Sequence, residues 1–279
     1  MAYPLRGRPA RGFTLIESTI VIVVVGILFA VVAVFIVPPV QAYVATQARA
    51  ALIDQADLAL RRIGRELRIA LPNSTRVSAA GDALELIPTT GAARYRTEGT
   101  DRLEFGALDL TFDLIGPPLT LTAGQHLVFH NLGTGVGGSD AYAASGSAVE
   151  QANSNRRASA AAGTLSSISM TSLAGLPVGD FAPPYRVFAV DAPVTYRCAA
   201  GRLTRHAGYG FVAAQPNPPV GGTSAVLATG VTACRFSADS AVIALRAGLV
   251  NLALTLTTTT PSGGESVALH HAVHVDNLP

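Results

Sequence analysis

The sequence predicts an α+β protein, with a long N-terminal helix packed on an antiparallel β-rich globular domain. Two observations lead there. Residues 13–37 form a long, mainly apolar run with no basic side chain, and helical periodicity resumes after Pro38-Pro39. From Asn73 onward the pattern changes to period two, with turn residues between short apolar runs. The 279 residues suffice for one large or two small domains.

The first element is the apolar run. Phe13 to Val37 spans 25 residues with no basic side chain and a single acid, Glu17. As a helix it reaches roughly 37 Å, against a hydrocarbon core of about 30 Å. Lipid offers the backbone no partners, so helix is enforced despite the many Val and Ile. Arg6, Arg8 and Arg11 precede it. The positive-inside rule then puts residues 1–12 in the cytoplasm and the chain after Pro39 outside, in a bacterium the periplasm. Glu17 is the anomaly. An acid at the centre of a membrane helix costs about 2.5–3.5 kcal/mol on insertion scales, and less near the interface. Its partner must be the cytoplasmic face, another chain or a new amino terminus. Two rival readings exist. A plain single-pass anchor explains everything except Glu17 and the Gly12-Phe13 junction. An ordinary secretory signal cut before Tyr43, after Val40-Gln41-Ala42, has too long an apolar run and Pro38-Pro39 in the way.

The second element is an amphipathic helix over 40–72. Pro38-Pro39 removes two donors and is expected to kink or loosen the helix at the membrane exit. Beyond it, Leu52, Ala56, Ala59, Ile63, Leu67 and Ala70 recur at three- and four-residue steps and form one apolar stripe. Asp57–Arg61 and Arg62–Glu66 are i,i+4 pairs, each contributing a few tenths of a kcal/mol at about room temperature. Arg61, Arg62, Arg65 and Arg68 lie on a solvated face or meet acidic neighbours. Pro72 is expected to end the helix.

The third element is the β-rich body, 73–279. Expected strands are Ala83–Pro88, Arg94–Thr97, Arg102–Phe105, Leu108–Ile115, His126–Asn131, Tyr185–Val190, Val194–Cys198, Arg202–His206, Thr232–Ser237, Leu249–Thr257 and Ser266–Val275. Val250, Leu252, Leu254 and Leu256 fill one face of a strand; Val267, Leu269, Val273 and Val275 fill one face of the next. The Gly-, Ala- and Ser-rich stretch 133–179 reads as long irregular loops with a short helix. Cys198 and Cys234 each fall in an expected strand. With the body in an oxidising compartment they are expected to pair; in a reducing one they would be separate buried thiols.

Composition excludes several functions. All 20 basic residues are Arg and none is Lys. Without Arg6, Arg8 and Arg11 the acids outnumber the bases by one, so no concentrated basic face is available for nucleic acid. No GxSxG, Walker A, HExxH or EF-hand loop is present. On a strand His270 and His274 share a face but stand roughly 13 Å apart, too far to chelate one ion, and His271 points the other way. The Gly-rich stretch 133–140 reads as a turn rather than a phosphate cradle, and a Ca²⁺ loop at Asp140 is the minor alternative.

The junction Arg11-Gly12-Phe13-Thr14-Leu15-Ile16-Glu17, with a basic leader before it and a long apolar helix after it, resembles the prepilin cleavage and methylation signal of type IV pilins and pseudopilins. The resemblance implies a type IV pilin-like fold. It implies that prepilin peptidase cuts between Gly12 and Phe13 and methylates the new Phe13 amine. Glu17 becomes the fifth residue of the mature chain and pairs with the Phe13 amine of a neighbouring subunit. The implied division is a leader at 1–12, a membrane and filament-core segment at 13–39, a stalk helix at 40–72 and a periplasmic domain at 73–279.

Five further stretches (38–44, 60–77, 124–133, 195–198 and 269–279) resemble minor pilins of mannose-sensitive haemagglutinin (MSHA) pili, relatives of the J-type minor pseudopilins. They imply a structural protein, not an enzyme, without cofactor or metal. It primes assembly or caps the tip of a pilus, moving from the bacterial inner membrane to the cell surface. The implied partners are prepilin peptidase, other minor and major pilins, the inner-membrane assembly platform and membrane lipid, with no nucleic acid. The alternatives are a J-type pseudopilin of a type II secretion system, or a tip adhesin or DNA-uptake pilin that binds its ligand directly.

Overall fold

The computed structural model describes residues 12–238, 247–261 and 263–279; the basic leader through Arg11 lies outside them. The chain divides into two compact units, one running to Ala50 and including Thr259–Glu265, the other Ala51–Thr258 with Ser266–Pro279.

The first unit holds helix α1 (Leu15–Val31), a π-helical turn (Val32–Ile36) and the start of α2 (Val37–Arg68). No residue of α1 or of the π turn is buried. Pro38 and Pro39 have no N–H to offer the carbonyls four residues back, and their rings crowd those carbonyls. The helix loosens one turn ahead of them: the Val37 N–H reaches back five residues to the Val32 carbonyl. Within this unit Arg49 Nη2 meets Glu265 Oε2 at 2.9 Å.

The second unit contains the rest of α2 and most of the strands. In chain order these are β1 (Arg76–Val77), β2 (Ala83–Leu86), β3 (Thr89–Tyr95), β4 (Thr111–Ile115), β5 (Leu119–Leu121) and β6 (His126–Phe129). Helix α3 (Ala148–Ala152) leads into β7 (Arg156–Ser159), β8 (Gly163–Leu165) and β9 (Ser167–Thr171). After a 3₁₀ turn at Val178–Asp180 come β10 (Arg186–Val190), β11 (Val194–Ala199), β12 (Arg202–Ala207) and β13 (Thr223–Thr229). The last three are β14 (Val231–Ala238), β15 (Ala247–Thr260) and β16 (Gly263–Asp276). They form a five-stranded sheet β1-β2-β11-β12-β13, a closed barrel β10-β3-β4-β9-β7-β6, a three-stranded sheet β14-β15-β16 and the pair β5-β8. The paired strands whose registers are described run antiparallel.

The five- and three-stranded sheets enclose one core with α2. Leu52, Ala56, Ala59, Ile63 and Leu67 are buried in it, as the stripe predicts, and Leu60 joins them. Leu84, Leu86, Tyr196, Leu203 and Phe236 face them, as do the alternating Val250, Leu252, Leu254 and Leu256. On β16 Val273 and Val275 are buried, while Val267 and Leu269 are half-buried against the same core. Helix α2 ends at Arg68, short of Pro72. The sheet takes over the chain there: Leu71 N–H donates to the Ile87 carbonyl at 2.7 Å, and Ala70 bridges to Pro88. Cys198 and Cys234 are bonded, tying β11 of one sheet to β14 of the other.

The barrel has its own core, rich in aromatic rings. Tyr95 and Phe129 lie 6.0 Å apart, Phe112 and Phe129 5.9 Å apart, both near edge-to-face. Here the structure departs from the sequence reading. The stretch 133–179, expected as loops with a short helix, contains α3 and three strands, and two of those, β7 and β9, complete the barrel. Arg157 explains how so polar a segment is held inside. It is 2% exposed, and its guanidinium donates to the carbonyls of Ser154 and Arg156 (both 2.8 Å), Gln151 (2.7 Å) and Gly175 (2.9 Å), and to Ser172 Oγ at 2.7 Å. Such buried carbonyls need donors, and one arginine supplies five.

Other boundaries also move. Arg102–Phe105 is not a strand: Asp109 Oδ2 accepts from the Glu104 N–H at 2.9 Å, and Phe105 makes only an isolated bridge to Leu176. Asp109 Oδ1 likewise accepts from the Thr111 N–H at 3.2 Å, so the strand expected from Leu108 begins at Thr111. The strand expected at Arg94–Thr97 overlaps only the end of β3, which runs from Thr89 to Tyr95, and β1, β5, β7, β8, β9 and β13 have no counterpart among the expected strands.

Candidate functional site

The candidate site is the start of α1. Gly12 and Phe13 precede the helix, and Phe13 is exposed. Thr14 is the N-cap, in extended conformation, and its Oγ1 accepts from the Glu17 N–H at 3.3 Å. Thr14 thus satisfies one of the donors a helix start leaves open. The first turn is closed further by Ser18 N–H to the Thr14 carbonyl at 3.1 Å. Glu17 is the acid of the first turn, where the helix dipole favours negative charge.

The Thr14-x-x-Glu17 spacing is that of a capping box, which needs the Glu carboxylate to reach back to the cap residue's N–H. At Ser147 and Glu150 both halves of such a box are made. At Thr14 only the side-chain half is made, and the Glu17 carboxylate has no hydrogen bond or ion pair among the described residues. Phe13, exposed just before the cap, stands four residues ahead of Glu17, whose carboxylate is without a partner among the described residues. Thr14 is the residue that sequence reasoning missed. Its signal was available, a Thr three positions before a Glu at the head of an apolar run.

Beyond Glu17, Ser18 and Thr19 the rest of α1 is apolar. The 15–68 helix contains a stretch long and apolar enough to cross a membrane, and none of that stretch is buried. Val40-Gln41-Ala42-Tyr43, the rival cleavage site, lies inside α2.

The other candidates read from the sequence are dispersed. On α2, Arg61 pairs with Asp57 at 2.7 Å, while Glu66 is shared between Arg62 at 3.6 Å and Arg205 at 3.0 Å. Arg65 and Arg68 are exposed with no ion pair among the described residues. His270 and His274 are exposed on β16, and His271 faces the other way, half-buried. No group of three potential metal ligands occurs among the described residues. Asp140 is occupied by its own loop, accepting from the Gly135 N–H at 2.8 Å and the Tyr142 N–H at 2.9 Å.

Two buried acids serve the body. Glu85 accepts from Arg76 Nε at 2.6 Å and from the Tyr209 hydroxyl at 2.7 Å; burial pushes its carboxyl up and Arg76 opposes the rise. Asp180 accepts from Ser139 Oγ at 2.7 Å, and burial pushes it up to about 7, against the opposing pull of Ser139 and Arg157.

A long apolar N-terminal helix and an antiparallel β-rich body make an α+β architecture consistent with a type IV pilin-like fold, and the helix is of the kind that anchors pilins in a membrane by a single pass. More specifically, the model of the prokaryotic N-terminal methylation motif matches residues 7–33, which contain the Gly12-Phe13 junction and Glu17. That motif implies processing by prepilin peptidase and assembly with other pilins. No curated protein and no solved structure matches the chain.

Proposed function

We propose that this chain is the precursor of a minor pilin, a structural subunit that helps to prime assembly of a type IV pilus or caps its tip. The observation that carries the reading is the methylation motif placed on a Thr14-capped helix start whose single acid, Glu17, has no carboxylate partner among the described residues. Prepilin peptidase cuts between Gly12 and Phe13 and methylates the Phe13 amine. Residues 13–39 hold the precursor in the inner membrane, residues 40–72 form the stalk, and residues 73–279 stand in the periplasm until assembly carries them to the cell surface. In the filament, the Glu17 carboxylate meets the Phe13 amine of a neighbouring subunit. Two charges at about 4 Å attract strongly in a low-dielectric core, but desolvation cancels much of the gain. The pair therefore sets axial register more than it adds stability.

Within the minor pilins, the stretches at 38–44, 60–77, 124–133, 195–198 and 269–279 resemble MshO of the MSHA pilus system. The β-rich body, larger than that of most major pilins, supports a low-copy position. A J-type pseudopilin of a type II secretion system would use the same physics.

Mass spectrometry of the mature N-terminus is the primary test. Methyl-Phe13 is expected; Tyr43 as the first residue would overturn the reading. Glu17→Ala is expected to leave membrane insertion intact and to reduce recovery of the protein in sheared filaments. Normal recovery would rule out the docking role.

A further inference from the structure

The outer face of the C-terminal sheet carries a depression of about 370 Å³. Along β14 and β15, Phe236 and Leu252 point into the core, so the pleat turns Arg235, Ser237, Asn251 and Ala253 outward. On β16 the outward set is His270 and Ala272, opposite in phase to the buried Val273. Arg235 lies across from Ala253 and Ser237 across from Asn251 in the β14–β15 register. Ala253 and Ala272 form a shallow floor, and the four polar side chains stand around it. Arg235, Ser237, Asn251 and His270 are all exposed, and none makes a side-chain hydrogen bond or ion pair with the described residues.

We propose that this depression binds an acidic sugar, a uronate unit, free or at the end of a glycan. The free cation is an arginine, whose planar fork matches a carboxylate through two parallel hydrogen bonds. Arg235 and His270 stand on the two outer strands, about 10 Å apart at about 4.8 Å per strand spacing. A ligand held by both side chains at once spans the sheet face between them, as a six-membered ring with its carboxylate can. Asn251 and Ser237, between the two ends, offer donors and acceptors to ring hydroxyls. The alanine floor leaves room for the ring's C–H face. An acidic peptide fits less well, because the depression has no aromatic or deep apolar anchor of the kind that holds protein partners.

The test is a titration of the full-length protein in detergent micelles with sodium glucuronate, followed through the His270 ring resonances. Saturation with a dissociation constant of order 1 mM is expected. Arg235→Ala should weaken binding by about tenfold or more, and Asn251→Ala by about threefold to tenfold. Arg235→Lys keeps the charge without the fork and should fall between wild type and Arg235→Ala, which preserves the test if the alanine variant folds poorly. Arg65→Ala, on α2, should change nothing. Glucose, without the carboxylate, and acetate, without the ring, should each bind at least about tenfold more weakly. No saturation, equal binding by acetate, or unchanged binding in both Arg235 variants would overturn the proposal. Binding of poly-glutamate through Arg235 without binding of glucuronate would overturn it in favour of a protein partner.

Discussion

Residues 15–50 and residues 51–68 are both helical, yet they are stabilised in different ways. Every buried position of α2 lies at Leu52 or beyond, and α1 has none. The later stretch is amphipathic and held by its own chain through Ile63, Leu67 and their neighbours. The earlier stretch presents Ile, Val, Leu and Phe on all sides, and they are exposed among the described residues. Contiguous apolar surface on that scale is foreign to a soluble monomer. The difference teaches that helix identity alone says little: one stretch is a component of a core, the other a component awaiting its surroundings.

The largest test of this contrast is the disulfide. Cys198 and Cys234 are 36 residues apart, and in the chain-entropy model the loop they close contributes about 3.8 kcal/mol. Replacing both with Ser should lower the denaturant midpoint of the body by that order and leave the helicity of α1 in micelles unchanged. Equal loss in both would show the two regions to be one cooperative unit. Next comes a matched pair of truncations. Ile63→Ala, at a fully buried position, should cost about 3 kcal/mol, whereas Ile22→Ala, at an exposed one, should stay within about 0.5 kcal/mol in the same unfolding measurement. Comparable costs would break the contrast.

A smaller effect follows from Asp180. Its folded-state value of about 7 lies above the 3.8 of an unperturbed Asp, so between these pH values the folded state holds a proton that the unfolded state has released. The stabilisation from a neutral Asp180 is complete below about pH 4 and is lost progressively as pH rises to about 7. Asp180→Asn should flatten the fall in melting temperature across that window. An identical pH profile in the variant would show that Asp180 is not responsible. The smallest effect is at the helix start: Thr14→Ala should cost about 1 kcal/mol locally, read as faster amide exchange at Glu17 and Ser18 and no change in the body.

Period, charge and cysteine position made the helix, its stripe and the two C-terminal strands legible in the sequence. Val250 to Leu256 alternate because one face of β15 is buried. The barrel was legible only in part: β3, β4, β6 and β10 overlap expected strands, whereas β7 and β9 do not. All four residues of β2 are buried, so even in the neighbouring sheet a strand can show no alternation; β7 is Arg-Arg-Ala-Ser, with no apolar face to read, and β9, though Ile168 and Met170 alternate with polar residues, is five residues long inside a Gly-, Ala- and Ser-rich stretch. Their placement depends on Arg157 reaching carbonyls from Gln151 to Gly175, a contact set no local pattern encodes. At the candidate site, Gly12, Phe13 and Glu17 were readable from the motif. The half-made capping box was not, because which hydrogen bond forms is a matter of geometry.

Arg157 has a consequence of its own. The sheets around α2 are clipped by a bond between two sulfurs, but the strands of the barrel are clipped by a guanidinium among carbonyls. A reductant opens the first and has no chemistry with the second. Under reducing conditions the two cores therefore lose their fastenings selectively: the aliphatic core goes slack first, and the aromatic barrel keeps its clasp.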